Sequence, residues 1–184
     1  MVKLFGKKLK IKYHPIIKEY IKEMLKVPHN AQKTSYTCGP ASVMSVLQYF
    51  NKEIESEAQA AQDIGTTVSQ GSRSGQLAKY MRSHGCHVRI SHNTSFAQIC
   101  AAVKAKRPVI VLFQRSKKKD TWKDGHWAVV VGCTKTHIVL SDSAVLKKRS
   151  RLLYDTFEKR WYDYNGKKKS YRVALFVRVP QPKK

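Results

Sequence analysis

Gln32-Lys33-Thr34-Ser35-Tyr36-Thr37-Cys38-Gly39-Pro40-Ala41-Ser42 joins a polar, turn-prone run to an apolar-periodic segment from Ala41 to Phe50. Val43, Val46, Leu47 and Phe50 recur at helical spacing, which predicts a helix from Gly39 to Asn51 with Cys38 at its first turn. Unpaired backbone N–H groups and the helix dipole favour an anion there. A thiolate is such an anion, so the position lowers a cysteine pKa and makes a nucleophile. Pro40 suits a first turn, and Gly39 lets a substrate approach the backbone.

A nucleophilic thiol needs a base that takes its proton and returns it to the leaving group. His126 begins the apolar run His126 to Cys133, which predicts a strand holding the ring at a sheet edge over a cleft. Gly125 leaves room there for substrate, and Trp127 packs the cleft wall. The base in turn needs an acceptor on its second ring nitrogen. Asp142 lies 16 residues on, at the end of a second strand, His137 to Asp142, joined to the first by a tight turn near Lys135. The developing oxyanion needs donors: the backbone N–H of Cys38 is one, and the side-chain amide of Gln32, six residues earlier, is the natural second.

The rest of the chain divides by texture. Tyr13 to Val27 is periodic, with Ile16, Ile17, Tyr20, Ile21, Met24 and Leu25 in one stripe, and reads as an amphipathic helix closed by Pro28. Shorter helices are predicted over Glu53 to Asp63, Ser74 to His84 with Ser74 as cap, and Phe96 to Lys106 behind a Thr94-Ser95 cap. His87 to Ser91 is a short strand. Pro108 to Phe113 is continuously apolar, a strand buried on both faces. Leu152 to Trp161 reads as a short helix and Ser170 to Val179 as a final alternating strand. The expected class is α+β, a helical first half packed on an antiparallel sheet. Residues 1–28 form a basic arm and helix packing on the domain, and 29–184 a single domain.

Composition narrows the functions. With 184 residues, 42% of them hydrophobic, the chain can bury a core and is not a disordered tail. No apolar run approaches the ~20 residues of a membrane span, and no secretory signal follows Met1. Four scattered cysteines suggest reduced thiols and a cytoplasmic location rather than a disulfide framework, with Cys100 and Cys133 in the core. His84, Cys86, His87 and His92 do not match a zinc spacing, and Gly71-Ser72-Arg73-Ser74-Gly75 lacks the strand and lysine of a phosphate loop, so neither metal nor cofactor is expected. The net charge of +24 predicts attraction to acidic substrates, nucleic acid or an anionic surface. Lys117-Lys118-Lys119, Lys147-Lys148-Arg149 and Lys167-Lys168-Lys169 are its densest clusters.

Cys-Gly-Pro-Ala at 38–41, Gly-His-Trp-Ala-Val-Val-Val-Gly at 125–132, Gln32 and Asp142 together resemble the papain-like cysteine peptidases of the bacteriocin-processing, double-glycine leader type. The resemblance runs from about Gln32 to Asp142. It implies a papain-like fold and peptide hydrolysis by Cys38, His126 and Asp142 with Gln32 at the oxyanion, after a small-residue, Gly-Gly-like motif. The sequence departs from the family at Thr37, where an Asp often precedes the cysteine, and at Ser143, where a Pro is common. No transporter segments follow. Two alternatives stand beside this reading: transfer of the acyl group to an amine, and a basic binding protein with an idle peptidase-like pocket.

Overall fold

Val109-Ile110-Val111-Leu112-Phe113 has no polar face to turn toward water, so it needs cover on both sides and a strand along each edge. The computed structural model describes residues 24–115, 124–146, 149–165 and 168–180, and it meets that requirement. In chain order the elements are α1 (Cys38–Tyr49), α2 (Glu57–Ile64), α3 (Ser74–Ser83), β1 (His87–Ser91), α4 (Phe96–Lys104), β2 (Val109–Gln114), β3 (Gly125–Cys133), β4 (His137–Ser141), β5 (Ser150–Leu153), α5 (Tyr154–Glu158), β6 (Tyr162–Asn165), β7 (Lys168–Tyr171) and β8 (Ala174–Arg178). Six strands make one sheet in the order β1-β8-β2-β3-β4-β5, while β6 and β7 form a separate hairpin. Every pairing is antiparallel. The α+β class and the helices-on-sheet layout are as the sequence predicts.

Helix α1 is buried from Cys38 through Leu47 and packs on β3. Ser42 ties it there, its hydroxyl donating to the Trp127 carbonyl at 3.2 Å. The short helices have local reasons to start and stop. Ser56 caps α2 by accepting the Gln59 N–H, and Gly65, at φ +74°, ends it. Ser95 and Gln98 form a reciprocal box at the start of α4; such a cap contributes about 1 kcal/mol. Ser74, the expected cap of α3, is instead its first residue, after Arg73.

Three other expectations give way to tertiary context. Leu152 to Trp161 does not form one helix. Ser150–Leu153 pairs with His137–Leu140 as β5, satisfying an edge of β4 that would otherwise be bare, and only Tyr154–Glu158 is helical. The predicted strand Ser170 to Val179 is broken by Arg172, at φ +50°: the part before it turns back on β6, and the part after it enters the main sheet between β1 and β2. Residues 24–27 are not helical. A bulge between Val130 and Gly132 offsets the β3–β4 ladder, and the Leu25 N–H donates to the Val131 carbonyl at 2.8 Å. Leu25 and Val27 are buried there. The rest of that predicted helix, the basic arm 1–12 and Lys117-Lys118-Lys119 lie outside the described residues, as do Lys147, Lys148 and Lys167.

The cysteines also differ from expectation. Cys38 and Cys86 are free, but Cys100 on α4 and Cys133 at the end of β3 are joined as a disulfide, Cα to Cα 5.8 Å. Their separation of 33 residues hides a contact made only when α4 lies on β3. The pairing removes the compositional argument for uniformly reduced thiols. Among the described residues, no helix is long and apolar enough to cross a membrane.

Candidate active site

Cys38 is the first residue of α1, and no acidic side chain stands in that turn. Thr37 makes no side-chain cap bond to the helix, so the first-turn N–H groups are not consumed by a cap. The groups that act on the sulfur are the His126 ring first, then the Trp127 and Gly39 backbone N–H groups, and all three favour the thiolate. Burial pushes this thiol up, yet the His126 hydrogen bond and charge, with the two backbone donors, hold it below the ordinary cysteine value.

His126 is the second residue of β3, directly opposite Phe113 of β2. The Phe113 ring meets the imidazole edge-on, centroids 5.6 Å apart, and fixes its plane. Nε2 bonds Asp142 Oδ1 at 2.6 Å, which leaves Nδ1 for the sulfur. The register explains the reach. Ser141 pairs with Val129, so Asp142 falls across from Ala128, two residues from His126 and on the same face by strand alternation. Asp142 Oδ1 also accepts the Ala144 N–H at 3.0 Å. Burial alone would lower the His126 pKa, but the hydrogen bonds and charges of Asp142 and Cys38 raise it to about 9. Asp142 is held below the usual carboxylate range: burial opposes this, and the bond and charge of His126 overcome it. All three groups are buried. The arrangement therefore favours a thiolate–imidazolium pair at neutral pH.

Gln32 is brought to the same place. Its backbone N–H donates to the Ser143 carbonyl at 3.0 Å, and the Ser143 hydroxyl donates to its Oε1 at 3.0 Å. Its Nε2 donates to the Thr34 carbonyl at 2.6 Å. The amide is thus clipped to the residue after Asp142. Ser143 was visible in the sequence only as a departure from a family pattern; its contact with Gln32 spans 111 residues and leaves no local signal.

The two glycines do not leave open room. A Cβ on Gly39 would lie 2.6 Å from Ser72 Oγ, and one on Gly125 would lie 2.6 Å from Asp163 Oδ1. Ser72 and Asp163 fill the space the sequence assigned to substrate. Trp127 is a wall, as expected: its ring is buried and its Nε1 donates to the Ser72 carbonyl at 3.0 Å. Ser72, Trp127 and Asp163 also line a groove of about 850 Å³, with Gln70, Arg73 and Tyr164, beside the cysteine. Asp163 was missed; burial raises its pKa to about 6, although Gln114 Nε2 donates to it at 2.9 Å. The histidines near Cys86 point elsewhere: His84 bonds the Tyr80 carbonyl and His92 bonds Ser170.

A helix-start cysteine whose electrostatics a strand histidine sets, that histidine braced by a buried aspartate, on helices packed against an antiparallel sheet, defines the papain-like class of cysteine peptidases. The chain belongs to the Peptidase_C39 like family, whose model matches residues 24–169, and it is a cysteine-type peptidase. Among curated proteins no sequence matches it. Its fold is similar to that of a double glycine motif protease from an AMS/PCAT transporter, solved with its leader peptide (TM-score 0.62, 19% identity, 86% of this chain and 96% of that one). It is also similar to the peptidase domain of Streptococcus ComA, a bi-functional ABC transporter of a quorum-sensing pathway (0.66, 19%, 84% and 99%). A third similar structure is a C39-like peptidase from Bacillus anthracis (0.70, 16%, 88% and 100%).

Proposed function

We propose that the protein hydrolyses a peptide bond in an extended peptide laid along the Trp127 groove, after a small-residue, Gly-Gly-like motif. The observation that carries the mechanism is the buried His126–Asp142 bond at 2.6 Å, with the Cys38 thiol as the ring's other electrostatic partner. Cys38 attacks the scissile carbonyl as a thiolate. His126, already protonated in the resting pair, gives its Nδ1 proton to the departing amine. Asp142 holds the ring's orientation and its charge through that transfer. Water, deprotonated by the now neutral His126, then attacks the thioester and releases the acid. The oxyanion is held by the Cys38 N–H and by the second amide hydrogen of Gln32, the first being committed to Thr34. The small-residue preference rests on the resemblance and on the double glycine motif protease among the similar structures. The net charge of +24 favours acidic peptides.

The test is a panel of fluorogenic peptides with Gly-Gly, Gly-Ala or Leu-Leu before the scissile bond, with and without acidic residues upstream. Cleavage after Gly-Gly that disappears in Cys38→Ala is expected. Turnover that survives Cys38→Ala refutes the mechanism, and equal turnover of the Leu-Leu peptide refutes the motif.

A further inference from the structure

A second groove, of about 560 Å³, shares no lining residue with the Trp127 groove. It is formed where α4 leaves part of β1 and β8 uncovered. Strand register sets its chemistry. His87 lies directly opposite Arg178, and Arg89 directly opposite Phe176, so alternation puts all four on one face. Arg89 and Arg178 then occupy diagonal positions about 7–8 Å apart, and the Arg89 guanidinium rests 4.3 Å from the Phe176 ring centre. Arg107, after α4, and Arg82, at the end of α3, complete the rim. The Arg82 guanidinium is steadied by the Val88 carbonyl at 2.7 Å. Phe176, with Ala101 and Ala102 of α4, supplies the apolar part of the lining.

The composition of this rim is not that of the rest of the surface. The chain holds 26 lysines and ten arginines, yet four of the arginines line this groove and, among the described residues, no lysine and no carboxylate does. None of the four makes an ion pair with a described carboxylate. A surface that is basic only for solubility would carry lysine and arginine in their overall ratio. Guanidinium forks differ from ammonium groups in presenting two parallel donors to one phosphate. The volume is that of a small-molecule site rather than a flat polyanion track.

We propose that this groove binds a small molecule carrying two or more phosphate groups joined to an apolar or aromatic body. Arg89 and Arg178 grip adjacent phosphates, Arg82 and Arg107 close the ends, and the body lies against Phe176 and α4. The site is independent of the peptidase reading.

Isothermal titration of the intact protein at physiological salt tests this, with adenosine triphosphate, tripolyphosphate, inorganic phosphate and a single-stranded oligonucleotide as probes. Adenosine triphosphate and tripolyphosphate should bind with one-to-one stoichiometry, the nucleotide more tightly, and inorganic phosphate at least about tenfold more weakly than either. Arg89→Gln with Arg178→Gln should weaken both by about tenfold or more, each charged hydrogen bond being worth about that factor, while Cys38 alkylation stays unchanged. Lys26→Gln with Lys159→Gln removes the same charge from exposed positions elsewhere and should leave binding intact. Equal weakening by the two double variants would mean general charge attraction and overturn the proposal. So would binding of the oligonucleotide alone, or of no probe.

Discussion

Replacing His126 by alanine tests the central claim, that a buried sulfur is ionised by a neighbouring ring rather than by its helix alone. In the wild type two influences oppose each other at Cys38. Burial raises the pKa, while the His126 hydrogen bond and charge, followed by the Trp127 and Gly39 N–H groups, lower it. Removing the ring leaves burial against the two backbone donors, and the pKa returns to the ordinary cysteine range or above it. A thiol there is a few per cent thiolate or less at pH 7, against nearly complete ionisation in the pair, a loss of about thirtyfold or more. A thiolate of higher pKa is intrinsically more nucleophilic, with a Brønsted slope of about 0.4–0.5, which recovers part of the loss. The net expectation is that iodoacetamide alkylates Cys38 about 10- to 100-fold more slowly in His126→Ala at pH 7. Cys86 is the internal reference: it is buried, burial raises its pKa, and it lies outside the site, so its slow labelling should not change. Mass spectrometry of tryptic peptides reads both sites in one sample. A Cys38 rate within threefold of wild type would refute the ion-pair reasoning and assign the activation to the α1 N-terminus.

Asp142→Asn should move the alkaline limb of kcat/KM toward lower pH by a unit or more, each unit corresponding to about 1.4 kcal/mol. The carboxylate keeps the His126 ring charged up to about 9, so with an amide in its place the ring loses its proton earlier as pH rises. Gln32→Ala should lower kcat about 10²- to 10³-fold with the Cys38 alkylation rate unchanged, because an oxyanion donor acts on the intermediate and not on the resting thiolate; a parallel fall in alkylation would make Gln32 a structural residue. Gly125→Ala should cost about 1–3 kcal/mol in denaturant titrations through its clash with Asp163, and Gly125→Ala with Asp163→Ala should recover most of it. Cys133→Ala should lower stability by roughly 3–4 kcal/mol, the value expected for closing a loop of 33 residues, and wild type in dithiothreitol should match it.

The parts of the fold legible in the sequence were those decided by local periodicity. The apolar run at 109–113 could only be an interior strand, and the spacing of Val43, Val46 and Leu47 could only be a helix against it. The parts that were not legible were decided by partners. Leu152 and Leu153 carry helix-compatible side chains, but β4 needed a strand along its free edge and took them. Arg172 carries no turn signature at all; its positive φ arises because its N–H donates to the Trp161 carbonyl at 2.9 Å and the chain must step from the small hairpin into the main sheet. Cys100 and Cys133 behave as core residues by pattern, and only the placement of α4 on β3 makes them a pair.

The site divides along the same line, and the division bears on how it works. Cys38, His126 and Asp142 were legible because each is the terminal residue of an element, or next to one, and element ends are what sequence patterns mark. What the patterns do not mark is the packing that removes slack between those ends. Ser42 ties α1 to the Trp127 carbonyl, the N–H of the same Trp127 favours the thiolate, Phe113 fixes the imidazole plane, and Ser72 and Asp163 occupy the two glycine notches. Each is a long-range contact with no local signature, and each takes up a void through which Cys38 and His126 could drift apart. A misplacement of about 1 Å at such a pair costs about 10²-fold in rate. The glycines at 39 and 125 therefore matter for how closely the protein packs on itself there, and in the proposed reaction the peptide lies over Trp127 instead, along the groove that those same filling residues shape.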